Sequence, residues 1–588
     1  MSAQITAALD VALQAHRAGR LDKAIAIYGA VLDMAPDQPT ARHLRGFALL
    51  QSEQAEEALG DLRHAVRIAP GNANAWMHLA ICLDQLGQPP ANAARRALLL
   101  LPQAQEAVDV LVRNGGDVSA VLDWLMTLAP GDPTAWIRVG HTYTQSDPTR
   151  ALRALRRAHC LSARDPSLLL DLADAERRAS RSEKSLGYAN RSLACRPNDP
   201  RGLAVRAAAE VELDAVSESL ADSRRAAVLA PGLALAWANR AEALYRLAEY
   251  AAAVRSGDRA RIAAPSDPDI LANLAAYRLA TGDLAVGWPL LRYRPTRRRA
   301  KAPELPRWQG ESGARLLVLA EQGLGDELLF STLWHDLDRR VEAGCLGSVT
   351  IEADARLIPL CARTLHNVSW RRRFQDDPAG EPVSHWCLAA DLMEYLRPTV
   401  ADFGDFRPGL SVDASRSAAW KAWLAETARG RPTIGLCWRS SSLGGHRRRH
   451  YPPLGECAPL LDLKHTLFVI LQYDDCQSEI DGVEVATGSE IVIPPDLNRR
   501  DDQDGVAALI SALDMVTSAD TAVLALTGAL GRPAVAFSLH PGWVGLGQSR
   551  HPWFPSVTRV YRPPQTPWRE TMAAVARILE AKLARHGA

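Results

Sequence analysis

At 588 residues the chain is too long for one hydrophobic core and predicts two or three compact units. Its 68 Lys and Arg against 67 Asp and Glu leave a formal charge of +1, and no basic stripe is interleaved with aromatics, which argues against a nucleic-acid partner. Nine scattered cysteines, none in a CxxC, argue against a disulfide framework or zinc ribbon and predict buried thiols in a reducing compartment. No stretch reaches 18 apolar residues and residues 1–20 carry no apolar core, so the expectation is a cytoplasmic protein with no membrane span.

In chain order, prolines first recur after apolar-small helix ends, at Pro36, Pro70, Pro102, Pro130, Pro197, Pro231 and Pro265, with several gaps of 34 residues. A proline at that place ends the second helix of a hairpin because it cannot continue the hydrogen-bond ladder. Close helix packing needs small side chains, and Gly46, Ala58 and Ala65 precede Pro70 as Ala241, Ala253 and Ala260 precede Pro265, with Trp237 at an aromatic position. This period and these residues resemble tetratricopeptide repeats. About eight hairpins are expected over residues 5–290, irregular near 103–130, with Ala163 replacing one turn proline. A groove between stacked hairpins commonly holds an extended protein segment.

Periodicity changes after residue 292. The stretch 293–312 is proline-rich and charged and reads as a linker, its Arg297-Arg298-Arg299 run as solvated charge. Strands are then expected at 315–320, 348–353, 433–438, 467–472, 514–519 and 534–537, alternating with helices and closed by a helix in WRETMAAVARILEAKLA. The clusters 313–412 and 431–560 predict two parallel α/β lobes with a cleft between them, the second closed by the final helix out to 588.

Three strand ends carry candidate chemistry. Glu321-Gln322-Gly323-Leu324-Gly325-Asp326 turns from a strand into a helix at the sheet edge where open α/β sheets bind ligands. Gly323 and Gly325 let a ligand approach the backbone. Asp326 either caps the helix or takes a proton from an acceptor hydroxyl, base catalysis of the kind that contributes ~10²–10⁴-fold. Asp520, Thr521 and Ala522 open another helix, where they serve either as local caps or as a phosphate site. Arg439 and Ser440 end a strand, and the arginine fork suits a phosphate or a sugar carboxylate. The run 444–450, with His446, Arg447, Arg448, Arg449 and His450, reads as a solvated loop before Tyr451. Gln472 and Tyr473, ahead of Asp474 and Asp475, either reach a base or ribose or form only a turn. No phosphate-loop lysine motif, HExxH or Cys/His metal spacing occurs, and Asp336-Leu337-Asp338 falls inside a predicted helix, so metal-independent chemistry is expected.

The strings PRWQG (306–310), LLVLAEQGLGDELLF, IGLCWRSS, LISALDMVTSADTAV and GALGRP follow one another over most of residues 305–560. In that order they resemble the lipopolysaccharide heptosyltransferase superfamily. HYPPL, LQYDD and DDQDGVAALISALD are similar to its flagellin-modification branch, in which a repeat array receives flagellin. The resemblance implies a tetratricopeptide superhelix (1–292) followed by a two-lobed, Rossmann-like GT-B domain. It further implies a metal-independent protein O-glycosyltransferase using a nucleotide-activated, nonulosonic-type sugar, with no other cofactor. Asp326 becomes the acceptor-side residue, Arg439 a donor contact, and Asp520 and Thr521 the donor-binding turn. Many relatives read DTAVAHLAGALG where this chain reads DTAVLALTGALG, which puts Ala525 at the histidine position. A non-catalytic scaffold is the alternative that departure raises.

Overall fold

The computed structural model describes residues 2–101, 104–114, 127, 130–144, 147–299, 303–373, 382–404, 407–441, 450–563 and 566–586. Most of the expected irregular stretch 103–130, and the basic run from Gly444 to Arg449, lie outside the described residues. By packing the chain divides into residues 1–196 and 197–588. The boundary therefore falls inside the helical half, and not at the expected junction near 292.

Within 1–196 the described helices pair as five hairpins, from Ser2–Arg17 with Leu21–Met34 to Pro166–Arg178 with Ser182–Cys195, alongside a single helix Gln105–Arg113. Within 197–588, Pro200–Glu212, Ala234–Arg246 and Pro268–Ala280 each pair with the helix that follows. The first helices start for a local reason. Asp132, Asp165, Asp199 and Asp267 each precede a proline at the first helical position and accept a backbone N–H of the first turn. Small residues set the spacing between paired helices. A β-carbon on Gly46 would stand 2.7 Å from Leu62 Cγ, and one on Gly140 2.5 Å from Leu155 Cγ, while Ala58, Ala241, Ala253 and Ala260 are fully buried. Trp76, Trp136 and Trp237 each donate their indole N–H to the carbonyl of the preceding turn proline, Pro70, Pro130 and Pro231, at 2.8–3.0 Å.

Residues 293–312 are not a solvated spacer. Arg294 is buried, its fork closed on Glu321 at 2.6 and 2.7 Å and its third edge on Asp391 at 2.8 Å. Arg297 is half-buried beside Asp391, and Arg298 is paired with Asp269. Arg307 bridges to Trp386, and Trp308 is buried with its N–H on the Trp386 carbonyl, so this segment lies along a sheet edge.

Among the described residues ten strands follow: β1 (Arg315–Leu319), β2 (Ser348–Ala353), β3 (Ser369–Arg372), β4 (His385–Leu388), β5 (Thr433–Cys437), β6 (Leu467–Ile470), β7 (Ile491–Val492), β8 (Met515–Ala519), β9 (Ala534–Ser538) and β10 (Val557–Tyr561). They form two parallel sheets, β3-β2-β1-β4 and β10-β9-β8-β5-β6-β7. The central strands β5, β6 and β8 are buried at every position, covered on both faces as parallel sheets require. The closing helix Trp568–His586 packs Trp568, Met572, Val575 and Leu579 on one face of the second sheet. All nine cysteines are free thiols, but Cys160, Cys195 and Cys345 are exposed where burial was expected. Among the described residues no helix is long and apolar enough to cross a membrane.

Candidate ligand-binding cleft

The turn after β1 enters the helix Leu324–Phe330 through Gln322, held in the left-handed region at φ 64°. Glu321, just before it, is structural: its buried carboxylate accepts from Arg294, Thr296 and the Ala390 N–H. Asp326 Oδ2 accepts the Gly323 N–H at 3.2 Å, and the same side chain lines an open cleft of about 490 Å³. Capping and facing the cleft are thus compatible, because the first turn of the helix is itself the cleft wall.

From the second sheet, β8 runs into Asp520 and Thr521, and the helix Ala522–Ala529 follows. Thr521 has extended backbone geometry, yet its hydroxyl sits 3.2 Å from Ser518 Oγ and 3.6 Å from Cys437 Sγ, not on the helix amides. The first-turn residues Ala522, Val523 and Leu524 line the cleft with no side-chain cap, which leaves the positive end of the helix facing it. The two turns approach closely. A β-carbon on Gly325 would lie 3.5 Å from Ala522 Cα, so the bare glycine leaves room between them. Ser440 and Tyr473 also line the cleft, the tyrosine oxygen 3.4 Å from Ser440 Oγ and accepting the Ser441 N–H at 3.3 Å.

Two expected donor contacts fall elsewhere. Arg439 is not on the cleft wall; its guanidinium closes on Asp474 and Glu479, with Nε 3.1 Å from Glu479 Oε1, and these carboxylates hold its pKa above the ordinary value despite burial. Gln472 is fully buried and accepts the Arg439 N–H at 3.3 Å while donating to Asp474 at 2.6 Å. Both residues brace the ends of β5 and β6, and the Arg439 charge is already matched by two carboxylates. Asp336 and Asp338, set aside as helical surface charge, do lie on a helix, Trp334–Glu342. Asp336 pairs with Arg339 and Arg397, and Asp338 accepts from Asn367.

The cleft's positive charge comes from residues that the sequence did not single out. Arg356, Arg499 and Arg500 line it. Arg356 is neutralised by Asp354 at 2.7 and 2.8 Å. Arg499 differs: its Nη1 is buried and has no hydrogen-bond partner among the described residues. A buried donor on a charged group is costly to leave unpaired, and an anion bound beside Arg499 would accept from it. His551 is buried on the same wall and kept neutral by burial and by Arg559, whose Nη2 stands 2.7 Å from Nε2. Ala525 lines the cleft as well, so the position lacking an imidazole is a wall position.

The last hairpins hold one side of this cleft. Tyr245 accepts the Trp543 N–H at 2.9 Å and Tyr250 the Gly542 N–H at 3.2 Å, and Trp543 and Val544 line the cleft. Burial raises both phenols, Tyr250 to about 12.

Residues 9–73 and 143–200 match the tetratricopeptide repeat model. The helical hairpins within those residues are tetratricopeptide repeats. Over 374 residues the chain is 34% identical to Protein FlbA of Caulobacter vibrioides, covering 60% of this chain and 62% of that protein. It is also 34% identical over 95 residues to the TPR repeat-containing thioredoxin TTL4 of Arabidopsis thaliana, covering 16% of this chain and 14% of that one. The chain thus spans less than two thirds of the length of either relative. Among solved structures, a tetratricopeptide repeat protein from Parabacteroides merdae is 15% identical with a TM-score of 0.31, covering 46% of this chain and 97% of that one. Yeast Tom70 is 12% identical with a TM-score of 0.29, covering 49% and 84%. Likenesses at these scores say nothing about what the chain does.

Proposed function

We propose that the two parallel sheets are the lobes of a GT-B-type glycosyltransferase that moves a nucleotide-activated, nonulosonic-type sugar onto Ser or Thr of a protein held by the repeats, with flagellin as that protein. The observation that carries the reading is Arg499, whose Nη1 has no partner among the described residues, on the wall of a cleft whose opposite turns present Asp326 and the start of the helix Ala522–Ala529. In this scheme the acceptor hydroxyl oxygen attacks the anomeric carbon and its proton passes to Asp326. The bond from that carbon to the nucleotide phosphate breaks, and the leaving negative charge settles against Arg499 and the helix start. Arg499 takes the role first given to Arg439. A cleft of about 490 Å³ is within the range of small-molecule sites, ~300–1,000 Å³.

The test combines purified protein, flagellin and the activated sugar, with intact-mass measurement of the acceptor. A mass increase abolished by Asp326→Asn or Arg499→Met, with flagellin binding retained, supports transfer. Glycosylation unchanged in both variants refutes the site. The second reading, a scaffold with a degenerate transferase domain, is favoured by Ala525 on the cleft wall. It predicts flagellin binding with no nucleotide bound and no mass change.

A further inference from the structure

A second, smaller hollow lies at the junction between the last hairpin and the first sheet, with a volume of about 200 Å³. Among the described residues, four guanidinium groups on and beside its wall, Arg292, Arg294, Arg297 and Arg307, meet three carboxylates, Glu321, Asp391 and Glu394. The shortage falls on two of the arginines. Arg294 takes both oxygens of Glu321 and Oδ1 of Asp391 at short range. Arg297 and Arg307 are left sharing Asp391 Oδ2, each at 3.5 Å. Burial lowers the pKa of Arg297, Asp391 offsets part of that, and repulsion from Arg307, Arg294 and Arg292 adds to it. The hollow also has rigid walls: Trp308 is buried and packs against Tyr395 with ring centroids 5.1 Å apart.

We propose that this hollow is a binding site for a small oxyanion of the phosphate class, held between Arg297 and Arg307. Two under-neutralised forks at the rim of one cavity match the oxygens of a phosphate, and the charge-assisted bonds they make are the strong kind. The volume is below that of ordinary drug-sized sites, ~300–1,000 Å³, which excludes a sugar nucleotide and leaves free phosphate or the end of a small phosphomonoester. The site is independent of the transferase reading, since none of its residues lines the larger cleft.

Calorimetry on the full chain at constant ionic strength, titrating inorganic phosphate and separately glycerol phosphate, tests this. A saturable event is expected that survives Arg499→Met in the larger cleft. It should weaken at least tenfold in the Arg297→Gln, Arg307→Gln double variant and persist in Arg297→Lys, which keeps the charge. Tighter binding of glycerol phosphate identifies an esterified ligand, and tighter inorganic phosphate a free one. No saturable binding of either anion to the natural chain, or binding unchanged in the double variant, overturns the proposal. Both arginines are partly exposed, so the Gln variants retain the fold, which circular dichroism checks.

Discussion

Replacing Arg499 by Met should move stability and affinity in opposite directions. The change keeps most of the apolar stem and removes the buried Nη1 that lacks a partner. Leaving a buried donor unsatisfied costs ~1–3 kcal/mol. Arg499 as a whole is half-buried, so solvent screening discounts this to the low end, about 1 kcal/mol. The ligand-free variant should therefore melt about 2–4 °C higher in the transition of the α/β region. With a nucleotide present the sign reverses. A hydrogen bond to a charged group contributes ~1.5–3 kcal/mol, so affinity should fall roughly 10- to 150-fold. Differential scanning calorimetry without ligand, and titration calorimetry against nucleoside mono- and diphosphates, give the two numbers. A variant that melts lower without ligand would show that Nη1 is satisfied in solution. One that binds nucleotides as tightly as the natural chain would show that the anion sits elsewhere.

Three other outcomes follow from burial. Glu210 is buried beside Asp222, which pushes its pKa up to about 7, and a proton is then bound more tightly folded than unfolded. Its neutral form contributes stability fully below about pH 4.3 that is lost as pH rises through 7, up to about 3 kcal/mol at ~1.4 kcal/mol per pH unit; Glu210→Gln should flatten that loss in urea melts between pH 4.5 and 8. His43 and His78 are stacked and hydrogen-bonded at 2.9 Å, and burial pulls them down to about 4 and about 3. Depressed bases reverse the sign, so the first repeats should keep this stability above pH ~6.5 and lose it as pH falls toward 4, with His78→Phe, still stacked on Phe47, weakening the acid limb seen by circular dichroism. Gly528→Ala would place a β-carbon 2.3 Å from Phe554 Cγ on the cleft wall. Overpacking costs ~1–3 kcal/mol and the gain in helix propensity returns only about 0.8–1.0, so thermal melts should show net destabilisation, with nucleotide binding weakened as the ring shifts.

Six strands were legible because they are apolar runs at α/β spacing. Four were missed, of which β4, His-Trp-Cys-Leu, is apolar but only four residues long, and the other three lack that signal. β3 reads Ser-Trp-Arg-Arg at a sheet edge, β7 has two residues, and β10 alternates polar residues on the outermost position of its sheet. The site was legible where the backbone makes it: Asp326, the two glycines and the Thr521 turn all follow from strand-to-helix geometry. It was illegible where a side chain must choose between partners. Arg439 has the same local sequence whether its fork meets a ligand or a carboxylate. What decides is that β5 and β6 are neighbours, which brings Asp474 and Glu479 to it from 35 and 40 residues away. Arg499 lies between Asn498 and Arg500 in a charged loop and looks like surface; only the cavity shows that one of its nitrogens is enclosed.

The same limit explains the boundary. Composition changes at 292, where helical repeats give way to strands, but cohesion follows contacts and not composition. Tyr245 and Tyr250 sit at ordinary repeat positions, and the loop that they hold, His540–Gly547, carries no sign of needing them. A β-carbon on Gly547 would lie 2.9 Å from Gly282 N and from Thr281, so the repeat turn and this loop touch backbone to backbone. The last hairpins are therefore part of the cleft's scaffold. If a protein segment docks on these hairpins, the wall formed by Trp543 and Val544 is the place where its arrival is felt. Tyr245→Phe, which leaves the Trp543 N–H unpaired at a cost of ~1–3 kcal/mol, should weaken nucleotide binding without altering any group that touches the nucleotide. Equal nucleotide affinity in Tyr245→Phe and the natural chain would show that the wall is held by the α/β region alone.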